Sequence, residues 1–179
     1  MVRPILIAID NTHELSKYTS QLRDVINAIV GFCRSNPYMV DNDVAFISFE
    51  GDCLYETSIS KFAEGNISLN TNSDVTLDDG IKSILSYSKR FKDCPFCIII
   101  TCKTYNIIKP EITESYKKSY VSFVTVCLDS ESLCPWVNTL TNNPRIFYSP
   151  LLQDKLCDMF AMPSYYTNDY RDPNYIATI

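Results

Sequence analysis

The chain has 179 residues, of which 46% are hydrophobic and 21% are charged, a composition that excludes a disordered protein and suits one globular domain. Its formal net charge is -5 and its pI is about 4.8. A protein that binds nucleic acid by itself usually presents a basic face, because phosphate contacts require Lys and Arg. We expect the 16 basic residues to be spread out, and therefore no direct contact with nucleic acid.

The sequence contains eight cysteines, which are Cys33, Cys53, Cys94, Cys97, Cys102, Cys127, Cys134 and Cys157. We expect no signal peptide before them, because Met1-Val2-Arg3-Pro4 leads directly into an apolar run that is too short to span a membrane. Several cysteines lie within apolar stretches, which favours small buried side chains over disulfide partners. We expect free thiols, a reducing compartment and no membrane insertion.

The first half of the chain predicts two buried strands and a helix. Ile5 to Ile9 is a short apolar run, typical of a strand buried on both faces, and it ends at the polar turn Asp10-Asn11-Thr12. Apolar residues at helical intervals predict a helix from Tyr18 to about Cys33, which Asn36-Pro37 ends. Val44 to Phe49 predicts the second strand.

The middle of the chain continues this alternation. The polar stretch from Gly51 to Asn72 predicts a short edge strand or hairpin and a loop, and Asp74 to Leu77 opens a second helix. Phe96 to Thr101 predicts the third buried strand. Glu111 to about Tyr120 predicts a polar surface helix, and Tyr120 to Leu128 the fourth strand.

The C-terminal part predicts a short helix from Pro135 to Leu140, a last strand from Arg145 to Tyr148, and a last helix from Ser149 to Met159. Residues 162–179 contain four tyrosines and two prolines without periodicity, so we expect a tail that needs a partner to become ordered. Strands that alternate with helices predict one α/β domain over residues 1–161, with a mostly parallel central sheet and helices on both faces.

In such folds ligands bind where loops leave the carboxyl ends of the strands. The order of a strand that ends in Asp10-Asn11-Thr12, a helix, a strand, a helix that begins near Thr76, and a strand that ends in Thr101 resembles the von Willebrand factor A (vWA) domain. The resemblance extends over nearly the whole chain to about Met159. It implies a Rossmann-type sheet.

The vWA family often binds a divalent metal through Asp-x-Ser-x-Ser, a distant Thr and a later Asp. By this resemblance Asp10 and Thr12 match, Glu14 replaces the second Ser, and Thr76 can serve as the distant Thr. Cys102 replaces the last Asp, and a hard cation prefers oxygen ligands to a thiol. We therefore expect a degenerate site without metal, in which Asp10 and Thr12 anchor the sheet edge.

A closer resemblance is to the smaller vWA-type subunits of the TFIIH core complex. It is carried by Leu22 to Ser48, by Val126 to Leu133, by Leu151-Leu152 with the apolar helix that follows, and by Asp169-Tyr170-Arg171. That family continues into a cysteine-rich zinc module, whereas no cysteine follows Cys157 here. We therefore expect a lost module or a truncated chain, and zinc binding is not carried over.

The resemblance implies a non-catalytic structural subunit in the nucleus, without a cofactor. Such a subunit would contact the other TFIIH core subunits, especially the larger vWA-type subunit, in transcription initiation by RNA polymerase II and in nucleotide-excision repair. The candidate partner-binding residues are Trp136, Tyr165, Tyr166 and Tyr170, because aromatic side chains are good interface anchors. The alternative for the tail is that it folds back over its own domain.

Two other functions remain open. The first is the vWA-type ubiquitin receptor of the proteasome, whose helix-to-strand passage contains an Asn-Pro like Asn36-Pro37, but whose acidic C-terminal ubiquitin-binding helix has no counterpart in residues 162–179. The second is a metal-dependent adhesion or hydrolase-like domain that uses Asp10, Thr12, Glu14 and Thr76.

Two further features have ordinary interpretations. Cys94-Pro95-Phe96-Cys97 has the spacing of a thioredoxin-type pair, but it runs into a strand, so we expect a buried Cys97, Cys94 in a loop, and neither redox catalysis nor structural zinc. His13, the only histidine, has no nucleophile motif beside it, and we expect a solvated turn residue. The sequence predicts no catalytic residue and therefore no enzyme.

Overall fold

The computed structural model describes residues 3–102, 105, 108–129, 134–140 and 145–161. Its strands are β1 (Ile5–Ile9), β2 (Asp43–Ser48), β3 (Cys53–Ser58), β4 (Phe96–Thr101), β5 (Phe123–Cys127) and β6 (Ile146–Tyr148). Its α-helices are α1 (Thr19–Ser35), α2 (Leu77–Ser88), α3 (Pro110–Lys117), α4 (Val137–Leu140) and α5 (Leu152–Ala161). Short 3-10 helices span His13–Lys17, Ile59–Lys61, Glu64–Asn66 and Ser149–Leu151.

The six strands form one sheet in the order β3-β2-β1-β4-β5-β6. All neighbouring pairs are parallel except β2 with β3, which are antiparallel. The predicted α/β class and mostly parallel sheet are therefore confirmed. The predicted edge strand between Gly51 and Asn72 is β3, which follows a turn that Gly51 makes possible at φ 94°.

Alternating side chains of the strands build two apolar layers, one on each face of the sheet. In β1, Ile5, Ile7 and Ile9 belong to the layer that contains α1 and α5, whereas Leu6 and Ala8 belong to the layer of α2, α3 and α4. All five residues of β1 are at most 1% exposed. This is why a continuous apolar run, and not an alternating one, encodes the central strand.

The predicted elements agree with the structure most closely where a strand is central. The bounds predicted for β1 and β4 are the observed ones. The predicted fourth strand is too long, because β5 begins at Phe123, where its pairing with Cys97 of β4 starts. The helix from Glu111 is also less polar than predicted, since α3 buries Ile112 and Tyr116.

The predictions for the C-terminal tail and for membrane insertion depend on which residues the structure describes. The helix α5 ends at Ala161, and residues 162–179 lie outside the described residues, so the tail stays a prediction. Within the described part of the chain, no helix combines the length and the apolar character needed to cross a membrane.

Helix α2 approaches the end of β2 closely at Gly80. A Cβ atom on Gly80 would lie 2.8 Å from two ring carbons of Phe49, whose side chain is fully buried. Real Cβ atoms do not come so near to other carbons, so a larger residue here forces the helix and the ring apart. The glycine therefore sets the distance between α2 and the sheet.

We expect Gly80→Ala to lower the free energy of unfolding by about 2 kcal/mol, because overpacking outweighs the gain in helix propensity. Gly31→Ala in α1 is the matched control, since a Cβ atom at Gly31 would have nothing within 4 Å, and it should raise the free energy of unfolding by about 0.5–1 kcal/mol. Urea unfolding monitored by the fluorescence of the single Trp measures both. Equal effects of the two substitutions would contradict this packing.

Candidate functional site

The candidate site lies at the carboxyl edge of the sheet, around the exit of β1. Strand β1 has β2 on one side and β4 on the other, so the order of the sheet reverses beside it. Asp10 follows β1, Glu50 lies just beyond β2, and Cys102 follows β4. Parallel strands thus bring these residues to the place where open α/β sheets bind ligands.

Asp10 is fully buried and hydrogen-bonded through both carboxylate oxygens. Its Oδ2 accepts from the Thr101 hydroxyl at 3.1 Å and from the Tyr105 hydroxyl at 2.7 Å. Its Oδ1 accepts from the backbone N–H of Thr12 at 3.1 Å. Three donors from the chain itself therefore solvate the carboxylate in place of water.

Tyr105 is suited to remain a donor in this arrangement. Burial, followed by the negative charge of Asp10 and the hydrogen bond to it, raises the pKa of Tyr105 well above its ordinary value. The negative charge of Glu14 raises the pKa of Tyr105 in the same direction. The phenol therefore stays protonated and keeps one lone pair of Asp10 occupied.

Thr12 and Cys102 contact each other beside Asp10. The Thr12 Oγ1 atom lies 3.9 Å from the Cys102 Sγ atom, a hydrogen bond in which either atom can donate. Thr12 is 2% exposed and Cys102 is 4% exposed. Cys102, which by the vWA resemblance stands at the position of the last Asp, thus lies at the site, where its buried thiol contacts a buried hydroxyl.

Asn11 organises a second set of hydrogen bonds at this edge. Its Oδ1 accepts from the backbone N–H of Phe49 at 3.1 Å, and its Nδ2 donates to Glu50 at 3.3 Å and to the Asn70 carbonyl at 3.4 Å. Glu50 also accepts a hydrogen bond from Ser73. Asn11 is 1% exposed. Its hydrogen bonds link the exit of β1 to the end of β2 and to the loop before α2.

The other two residues of the predicted site have separate local roles. Thr76 is the N-cap of α2 and forms a capping box with Asp79, in which the Thr76 Oγ1 accepts from the Asp79 N–H at 3.4 Å and the Asp79 carboxylate accepts from the Thr76 N–H at 2.8 Å. Three residues before Thr76, Ser73 forms an isolated parallel β-bridge with Thr12. Glu14 lies half-buried in the 3-10 helix His13–Lys17. His13 is exposed, as predicted, but it begins this 3-10 helix and does not lie in a turn.

These residues do not fit a vWA-type metal ion. A divalent ion at this edge needs free oxygen lone pairs and access to a ligand, whereas Asp10 accepts three hydrogen bonds and is 0% exposed. A thiol at Cys102 supplies a soft donor where the family uses a carboxylate. Among the residues that the structure describes, no group of three or more His, Cys, Asp or Glu side chains is placed to hold a metal.

Sequence reasoning missed three residues of this edge, namely Asn11, Glu50 and Tyr105. Asn11 gave a weak signal, because an amide between Asp10 and Thr12 at a strand end is well suited to bond neighbouring backbone. Glu50 and Tyr105 gave none, since their roles depend on which loops meet at the edge.

The sheet order, the antiparallel edge strand and the helices on both faces define a vWA-like α/β fold. The chain is similar to proximal thread matrix protein 1 from the mussel byssus, with 12% identity, 88% of this chain and 47% of that chain covered, and a TM-score of 0.61. A second structure of that protein, described as having a zinc-occupied MIDAS motif, gives 11% identity, 88% and 46% coverage, and a TM-score of 0.62.

The ArnB paralog VWA2 from Sulfolobus acidocaldarius has 14% identity to this chain, 87% and 44% coverage, and a TM-score of 0.54. This chain therefore spans less than half the length of these three structures. No protein-family model matches the sequence, and no curated protein matches it. At these identities the likeness shows the fold and carries no function.

Trp136 lies in the interior and is not a surface residue. It is 1% exposed, and its ring centroid lies 5.9 Å from that of Phe123 in the layer that also contains α3 and α4. This burial removes Trp136 from the candidate partner-binding residues, because the core of the chain already occupies its ring. The other candidates, Tyr165, Tyr166 and Tyr170, lie outside the described residues.

All eight cysteines are free thiols, and the two that lie closest together are not Cys94 and Cys97, whose spacing is noted above. Cys97 is fully buried, Cys94 is half-buried, and the Sγ of Cys94 donates to the Tyr120 carbonyl at 3.2 Å. The Sγ atoms of Cys127 and Cys134 lie 2.7 Å apart as a hydrogen-bonded pair. This hydrogen bond raises the pKa of Cys127 and lowers that of Cys134.

We expect native alkylation by iodoacetamide to modify the exposed thiols Cys53 and Cys157 first. The buried Cys33 and Cys97 should react at least about a hundredfold more slowly, because they become reactive only when the fold opens. Burial raises the pKa of Cys33 to about 12 and also raises that of Cys97. Peptide mass spectrometry over a time course measures the rates, with urea-unfolded protein as the control. Equal native rates for Cys97 and Cys53 would contradict the buried position.

Proposed function

We propose that this chain is a non-catalytic structural subunit of the TFIIH core, which docks the larger vWA-type subunit. In that complex it would serve transcription initiation by RNA polymerase II and nucleotide-excision repair, in the nucleus. The choice of the TFIIH complex is based on sequence segments that resemble the smaller vWA-type subunits and occur in the same order, among them Leu22 to Ser48 and Val126 to Leu133.

The observation that carries the non-catalytic part is the closed carboxyl edge. Asp10, Thr12 and Cys102 are each at most 4% exposed, and the acceptor oxygens of Asp10 are already bonded within the chain. Within the described part of this edge, Asp10, Thr12 and Cys102 leave no open position for a metal-bridged ligand. A partner protein would therefore be bound by the surface of the helices and loops.

Affinity purification of the tagged full-length chain from its own cells tests the proposal. We expect repeated recovery of the larger vWA-type subunit with the other TFIIH core subunits, and reciprocal recovery when that subunit carries the tag. Tag-only cells are the control. Recovery of proteasome subunits in their place, or repeated failure to recover any TFIIH subunit, would overturn the proposal.

A further inference from the structure

A groove runs between α2 and α3 and reaches the edge of the sheet opposite to Asp10. Its volume is about 770 Å³, and its lining includes Cys94-Pro95 before β4 and Tyr120-Val121 before β5. Because both segments precede their strands, this part of the groove is at the amino edge of the sheet. It therefore shares no residue with the candidate site at the carboxyl edge.

The groove has an apolar floor. Pro95, Ile112 and Val121 are buried residues that line it, and Leu85 of α2 is only half-buried beside them. Tyr120 lines the same groove and is 63% exposed, which is unusual for a large aromatic side chain. A concave apolar surface with an exposed aromatic residue favours contact with an apolar side chain.

The rim of the groove is basic. Lys82, Lys89 and Lys118 are exposed residues of its lining, and Glu111 is the single acidic residue among them. The surrounding segment has the same sign, since residues 82–118 contain 8 of the 16 basic residues and 3 of the 21 acidic ones. The prediction that nothing concentrates the 16 basic residues is therefore wrong for this segment. A chain of net charge -5 concentrates positive charge here.

The distance between two lysines of the groove indicates how far apart two acidic residues of a bound peptide should be. Lys82 and Lys89 are seven positions apart along α2 and its C-cap, which corresponds to about 10 Å of helix. In an extended polyproline-type segment, positions i and i+3 lie on the same side and about 9 Å apart. Two acidic side chains with that spacing can face the two lysines while the residues between them reach the floor.

We propose that the groove between α2 and α3 binds a short extended peptide of a partner protein, in which acidic residues at i and i+3 flank an apolar side chain. The lysines attract the carboxylates, and the apolar floor formed by Ile112 and Val121 takes the side chain between them. A nucleic acid matches the charge but not the floor, because its backbone requires a polar and positively charged track.

This inference does not rest on the proposed TFIIH assignment. The groove is tested with a synthetic peptide and the purified full-length chain, whereas the complex is tested by co-purification. Each idea can therefore fail alone.

The probe is a fluorescein-labelled peptide with the core Glu-Leu-Phe-Glu between glycine and serine residues, titrated in an anisotropy assay. We expect saturable binding that weakens with salt. The double variant Lys82→Glu/Lys89→Glu should weaken binding at least about tenfold, since it replaces attraction by repulsion at both ends. Ser115→Trp places a bulky ring on the exposed groove wall of α3 and should weaken binding similarly.

The matched control is Lys61→Glu, an exposed lysine in the 3-10 helix Ile59–Lys61, which should leave binding unchanged. Urea unfolding of every variant verifies that the fold is intact. Peptides with the core Lys-Leu-Phe-Lys or Glu-Ser-Ser-Glu should bind at least about tenfold more weakly, because each loses one of the two interactions.

Three results would overturn the inference. The first is no binding of the Glu-Leu-Phe-Glu peptide at millimolar concentration. The second is binding that the groove variants leave unchanged, or that the control peptides match. The third is single-stranded oligothymidine that displaces the peptide and loses affinity in the Lys82→Glu/Lys89→Glu variant, which would assign the groove to nucleic acid.

Discussion

Asp10→Ala is expected to lower the free energy of unfolding by about 3–5 kcal/mol. The substitution removes the acceptor of three hydrogen bonds and leaves the Thr101 hydroxyl, the Tyr105 hydroxyl and the Thr12 N–H without it, at a position that is 0% exposed. Urea unfolding of the purified chain measures the change. The loss should be the same in EDTA and in millimolar magnesium, because hydrogen bonds and not a cation hold the carboxylate.

Two further substitutions control this result. Asp10→Asn keeps the shape and one carbonyl acceptor, so it should cost about 1–2 kcal/mol. Asp41→Ala removes an exposed carboxylate far from the edge and should change the free energy of unfolding by less than about 0.5 kcal/mol. If Asp10→Ala behaved like Asp41→Ala, the carboxylate would not anchor the edge.

Trp136→Ala should lower the free energy of unfolding by about 3–5 kcal/mol, because it leaves a large cavity in the layer beside Phe123. Urea unfolding followed by far-ultraviolet circular dichroism measures it, since the fluorescent side chain is lost. The result separates a core role from a partner-binding role, because a surface anchor would contribute little to the isolated chain.

Tyr120→Ala is the matched control for Trp136→Ala. Tyr120 is also a large aromatic residue but is 63% exposed, so its removal should cost less than about 0.5–1 kcal/mol. Comparable losses for the two variants would show that Trp136 is less well packed than its burial indicates.

The central part of the fold could be predicted from the sequence because its strands are buried on both faces. Ile5 to Ile9 and Phe96 to Thr101 are continuous apolar runs bounded by polar or proline-containing segments, and each is a strand with the predicted bounds. The helix from Tyr18 was equally readable, since Leu22, Val25 and Ile29 keep helical spacing and are all buried.

What the sequence could not supply were the contacts between distant segments. The position of Asp10 at the sheet edge follows from strand β1, but its partner Tyr105 lies 95 residues away and belongs to no motif. The burial of Trp136 was equally hidden, because α4 has only four residues and shows no period. The spacing of Cys94 and Cys97 was visible in the sequence, whereas nothing in the sequence indicated that the fold brings Cys127 and Cys134 together.

The basic groove shows the same limit. Lys82 and Lys89 belong to α2 and its C-cap, whereas Lys118 is the C-cap of α3. No run of basic residues joins them, and only the packing of α2 beside α3 places them around one apolar floor.

The central claim is that hydrogen bonds, and not a metal ion, occupy Asp10 at the carboxyl edge of this vWA-like domain. Calorimetric titration of the full-length chain with magnesium and manganese tests this claim most directly. We expect no heat beyond dilution at millimolar metal, since Asp10 is bonded within the chain and Cys102 offers a buried thiol. Micromolar binding that disappears in the Asp10→Asn variant would contradict the account and restore a metal-dependent ligand-binding function.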